Sequence, residues 1–180
     1  MKELQERVHR SMVNPWPPQQ ASRPSWPETW MAIAHVIAAR SYDPRLKVGA
    51  IIVTSDNTQM LSGGYNGNFA GGPHEHESPE PGLSGFIHAE TNALLKLDFN
   101  HPKEKHMYLT HSPCRMCAKL IVNAGIRRVV FAVAYRDPSG VDLLRDVGIE
   151  ALHIDEAIKQ ARESPTSSSS PATRTSGASR

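Results

Sequence analysis

The chain has 180 residues, 39 % of them hydrophobic and 21 % charged, with a formal net charge of +2. That length suits one domain with one buried core, and no stretch approaches the roughly 18 consecutive apolar residues of a membrane span, which excludes a membrane-embedded function. The cations are too few and too scattered for a dedicated duplex binder, so a small anionic substrate fits the charge balance better than a nucleic-acid partner.

The opening residues MKELQERVHR lack the apolar stretch of a secretory signal, so the expected location is cytoplasmic. Residues 1–22 form a Pro-rich extension, and residues 163–180 are so dominated by Ser, Pro and Thr that they have almost nothing to bury, the composition of a disordered tail. The domain is expected between them, over 23–162. Ser25 with Glu28 three positions later is a capping box, and Met31, Ile33, Ala34, Ile37 and Ala38 continue it as a helix ending near Arg40. A β-branched run over 48–54, a turn at Ser55-Asp56-Asn57 and a returning run over 59–65 predict a hairpin. A Gly/Pro-rich loop over 66–85 follows; loops of that length inside a compact domain usually serve function. Next come a helix over 88–97, a strand over 107–110, and a helix over 114–124 that stops at Gly125. The apolar run over 128–134 reads as a fully buried strand, followed by a short helix over 141–147, an edge strand over 149–154 and a last helix capped by Asp155. The pattern is α/β, with a central sheet of about five strands covered by helices.

Two short segments carry the chemistry, His88-Ala89-Glu90 and Pro113-Cys114-Arg115-Met116-Cys117, each at an expected helix start. Cys114 and Cys117, three apart, share a helical face, and zinc commonly takes such a pair with a histidine. The positive end of a helix favours the thiolate a metal needs, and Pro113 sits where a missing N–H is harmless. His88 and Glu90 would diverge by about 200° within a helix, so they can converge only in front of its first turn, with His88 on the metal and Glu90 beside it. Three protein ligands leave a fourth position for water, the mark of a catalytic zinc. A hydroxide formed there would be a nucleophile at neutral pH, with Glu90 placed to take up the water's proton and hand it on to a leaving group. The bland alternatives are a redox pair or closed structural zinc for the cysteines, a core histidine for His88 and a solvated helix-start carboxylate for Glu90; none accounts for all four residues together.

The H-x-E and P-C-x-x-C pair marks the zinc deaminases of nucleobases and nucleotides. With RPSW at 23–26, VGA at 48–50, GYNG at 64–67, HAETNAL at 88–94 and SPCRMCAKLIVNAGIRRVVF at 112–131, the chain resembles the deoxycytidylate (dCMP) deaminase family over nearly the whole domain. The resemblance implies a three-layer α/β/α cytidine-deaminase-like fold with a mixed sheet, one catalytic Zn2+, and conversion of dCMP to dUMP with release of ammonia. It implies that Asn66 contacts the sugar, that the backbone at Ala89 helps hold the base, and that Tyr135 packs near the ring. Asn66 as a left-handed turn residue and Tyr135 as a cap on the core are the competing readings. The phosphate needs cationic donors, and Arg40, Arg45, Arg115 and Arg136 are the candidates; Arg115 is chosen for its place beside the zinc loop, against a simply solvated role. Some relatives bind a second zinc in the loop before HAE, but Phe86-Ile87 and the absence of a third cysteine depart from that pattern, so His74-Glu75-His76-Glu77 reads as a solvated loop rather than a second zinc site, and Mg2+ is expected only in company with a nucleotide effector. The resemblance further implies a homo-oligomer and control by dCTP and dTTP. The rivals are a tRNA adenosine deaminase, which shares PCxMC but needs a more basic surface, a deaminase of another cytosine nucleoside or nucleotide, and a zinc-stabilised nucleotide-binding or regulatory module without catalysis.

Overall fold

The computed structural model describes residues 23–80 and 83–163; the expected Pro-rich extension and all but the first residue of the expected tail lie outside them. The first helix, α1 (Trp26–Ala38), opens as the sequence predicts: the Glu28 backbone N–H points at Ser25 Oγ at 3.5 Å, and Glu28 Oε2 accepts from the Ser25 N–H at 2.7 Å. Strands β1 (Gly49–Thr54) and β2 (Met60–Tyr65) form the hairpin. Its turn carries Asn57 at φ 60°, and the Asn57 side chain accepts from the Trp30 indole at 2.8 Å, fastening the hairpin tip to α1.

The remaining elements are α2 (Ala89–Leu94), β3 (Lys105–His111), α3 (Arg115–Asn123), β4 (Ile126–Val133), α4 (Ser139–Asp146), β5 (Glu150–His153) and α5 (Ile154–Glu163). The helix predicted over 88–97 is shorter because His88 is its extended cap and the chain tightens after Leu94. The last helix follows β5 with no intervening cap residue, so Asp155 lies in its first turn instead of preceding it. Gly125 and Gly148, at φ 71° and 82°, end α3 and α4 in the left-handed conformation that glycine adopts without strain.

The five strands form one mixed sheet in the order β2-β1-β3-β4-β5, with β1 antiparallel to β2 and β3, and β3, β4 and β5 mutually parallel. Alternation divides the core. Ile51, Val53, Tyr108, Val130 and Leu152 face α1 and α5, while Ala50, Ile52, Met107, Leu109 and Val129 face α2, α3 and α4. The result is three layers, α/β/α. Gly64 lets α2 lie directly on β2, since a Cβ there would come within 2.4 Å of the Ala93 nitrogen and 2.5 Å of the Ala89 carbonyl oxygen. Gly140 does the same where α4 meets the loop before α3; a Cβ would lie 2.0 Å from the Pro113 carbonyl oxygen. No helix among the described residues is long and apolar enough to cross a membrane.

Candidate active site

Two helix starts meet on one face of the sheet. His88 precedes α2 in extended backbone (φ −67°, ψ 154°) and makes no side-chain cap bond, and Cys114 precedes α3 in the same conformation (φ −70°, ψ 165°). The extended backbone of His88 removes the divergence that a continuous helix would impose, so its ring turns toward the cysteines while Glu90 follows in the first turn. His88 Nδ1 lies 3.6 Å from Cys114 Sγ and 3.4 Å from Cys117 Sγ. A tetrahedral zinc with bonds of about 2.3 Å to sulfur and 2.0–2.1 Å to nitrogen would hold its donors roughly 3.5 Å apart, so these three side chains fit that ion. Among the described residues they form the one group of three or more His, Cys, Asp or Glu donors close enough to share a metal.

The electrostatics follow from the packing. Contacts from Cys117 and His88 pull the Cys114 thiol well below its usual range, and the same pairing, with burial, pushes the Cys117 thiol up. The contact with Cys114 raises the pKa of His88. Glu90 is only 4 % exposed, and burial raises its carboxyl to about 7. A carboxyl balanced near neutrality beside a metal-ligand cluster can both accept and return a proton.

The cluster opens into a cleft of about 260 Å³ whose lining includes Glu90, Asn66, Tyr135, Arg45, His76 and His111. The backbone N–H of Tyr135 donates to Ser112 Oγ at 2.7 Å, and the Arg136 guanidinium lies 5.6 Å from its ring centre. Asn66 is buried, with Oδ1 accepting from the Val48 N–H at 2.8 Å and Nδ2 donating to Asp43 Oδ2 and the Leu46 carbonyl. Ala89 also lines the cleft. Arg115 is the exception among the sequence-derived residues: it is exposed at the start of α3 and outside the lining, whereas Arg45 and Arg136 are within it.

Residues 24–133 match the profile of the cytidine and deoxycytidylate deaminase zinc-binding region, a span that holds both helix starts and the cluster between them. The chain belongs to this deaminase family. Among its relatives by sequence, ComE operon protein 2 of Bacillus subtilis (strain 168) is 39 % identical over 145 residues, covering 76 % of each chain. The human deoxycytidylate deaminase is 40 % identical over 114 residues, which cover 59 % of this chain and 64 % of the human one. In three dimensions the dCMP deaminase of cyanophage S-TIM5, solved in complex with dCMP and dUMP, superposes with a TM-score of 0.64 at 33 % identity, covering 74 % of this chain and 99 % of the phage protein. The deaminase fold expected from the sequence is the fold observed.

The sequence reads His74-Glu75-His76-Glu77 as a solvated loop, but His76 turns into the cleft with its side chain only 12 % exposed. Asp43 and His76 are 33 positions apart and meet at 3.1 Å, a contact that nothing local encodes. His111, given no role from sequence, also lines the cleft. Ser112 could have been found from its place immediately before the Pro-Cys pair.

Proposed function

We propose that this chain deaminates dCMP to dUMP by hydrolysis, with His88, Cys114 and Cys117 holding one zinc and Glu90 as the catalytic proton carrier. The observation that carries the reading is the buried Glu90 carboxyl, raised to about 7, beside a donor set with zinc spacing. The phage relative solved with dCMP and dUMP supports the choice of nucleotide.

Zinc, when bound, supplies the Lewis acidity that makes water a competent nucleophile near neutral pH. Glu90 accepts the proton that the attacking water gives up and delivers it to N3 of the cytosine as the new C4–O bond forms. The remaining proton of the new C4 hydroxyl then passes through Glu90 to the exocyclic nitrogen, the C4–N bond breaks as the C4 carbonyl forms, and ammonia leaves. The backbone at Ala89 and the ring of Tyr135 bound the base, and Asn66 offers its remaining acceptor capacity to the sugar. Arg45 and Arg136 line the cleft with the charge a 5′-phosphate needs, and are better placed for it than Arg115. The family resemblance extends the proposal to a homo-oligomer responsive to dCTP and dTTP.

The test is ammonia release by the zinc-loaded protein offered dCMP, CMP, deoxycytidine, dCTP and an adenosine-bearing tRNA anticodon stem in parallel. Strong preference for dCMP is expected. Turnover of the RNA alone would overturn the substrate assignment.

A further inference from the structure

We propose that His76 is a positioning residue of the nucleotide site: its imidazole bridges Asp43 and Arg45 and so fixes, from the long loop, the cleft wall that receives the sugar and phosphate. The inference rests on the nucleotide deamination reading above.

The hydrogen bonds determine the state of the ring. An arginine N–H can only donate, so His76 Nδ1, 2.7 Å from Arg45 Nη2, is the acceptor. The proton therefore sits on Nε2 and is donated to Asp43 Oδ1 at 3.1 Å. A neutral imidazole thus stands between a carboxylate and a guanidinium, using both nitrogens, with the Phe86 ring packed against it at an interplanar angle of 71° and 4.9 Å between ring centres.

Each partner holds something further. Asp43 is buried, and its Oδ1 also accepts the N–H groups of Arg45 and Leu46, at 2.8 and 3.2 Å, while its Oδ2 accepts from Asn66 Nδ2 at 3.1 Å. The Arg45 side chain donates onward to the carbonyls of Glu80 and Ser78, at 3.2 and 3.0 Å. Asp43, Arg45, Asn66 and His76 all line the cleft. One imidazole from the loop therefore sets both the carboxylate that orients the proposed sugar contact and the direction of a guanidinium available to phosphate.

The test is steady-state kinetics of the zinc-loaded full chain on dCMP with His76→Leu and His76→Gln. An amide reproduces the neutral imidazole, its oxygen accepting from Arg45 and its nitrogen donating to Asp43, whereas leucine fills the space and does neither. His76→Leu should raise KM by about tenfold or more with kcat within about threefold, and His76→Gln should recover most of the loss, the split expected of lost uniform binding. An unchanged KM in His76→Leu, or a glutamine variant no better than leucine, overturns the proposal. Should the wild type prove silent on every nucleotide, the deamination reading fails by itself. The bridge is then judged by amide exchange at Glu77, whose N–H donates to the Ser84 carbonyl at 2.9 Å: faster exchange in His76→Leu supports it, and an unchanged rate overturns it.

Discussion

In the proposed mechanism the buried Glu90 carboxyl suits proton transfer, because a group raised to about 7 loses and regains its proton with little bias at neutral pH. Glutamine keeps the shape and removes the proton-carrying oxygen. Glu90→Gln should therefore lower turnover by at least about a thousandfold while leaving one zinc per chain, read by ammonia release and metal analysis on the same preparation. Cys117 argues a second prediction. Its thiol is pushed up by the neighbouring Cys114 and by burial, so in the metal-free protein it keeps its proton where Cys114 has already lost its own. Zinc must displace that proton, and ligand binding that releases one proton strengthens by about tenfold per pH unit. His88, whose pKa is also raised, gives up a proton in the same way, so apparent zinc affinity should climb between pH 6 and 8 in a competition titration, and a flat profile would mean that neither Cys117 nor His88 holds a proton for zinc to displace.

At the scale of elements, the site depends on how closely α2 approaches the sheet. Gly64→Ala would drive a Cβ into the α2 backbone, at 2.4 Å from the Ala93 nitrogen, and backbone cannot step aside as a side chain can. The helix must slide, taking His88 and Glu90 with it. We expect a loss of about 1–3 kcal/mol in urea unfolding together with weakened zinc binding. Gly63→Ala is the control: the only close approach of its Cβ is to the end of the Ile37 side chain at 2.9 Å, with the Ala50 carbonyl oxygen and Ile51 Cγ2 at ordinary contact distances of 3.6 and 3.7 Å, and it should leave zinc binding unchanged. The same scale shows what was legible in the sequence. The capping box, the hairpin and the four residues His88, Glu90, Cys114 and Cys117 were readable because short spacings and local periodicity encode them. The cleft wall was not, because Asp43, Arg45 and His76 are joined only by the folded path of a loop whose composition specifies no contact, and the exclusion of Arg115 depends on which way the first turn of α3 faces.

For the whole molecule, the half-buried His106 ties stability to pH. Burial is the main reason the pKa of His106 is lowered, so below about 6.5 the unfolded chain takes up a proton that the fold resists. Its contribution is intact above that pH and lost as pH falls. Glu90 acts in the opposite sense, since a raised carboxyl pKa favours the fold at low pH and loses that contribution as pH rises through about 7. The two are separated by comparing variants: the fall in Tm from pH 7.5 to 5.5 should be smaller in His106→Gln than in the wild type. The two extended residues before α2 and α3 have a larger consequence. Helix starts usually satisfy their first N–H groups with a serine, threonine or aspartate cap, yet here both positions are given to metal ligands, and His88 caps nothing with its side chain. Metal would therefore act as a clasp between two segments that the core strand β3 separates in the chain, so chelation should loosen both helix starts together, and this chain's tolerance of heat should rise and fall with its zinc supply.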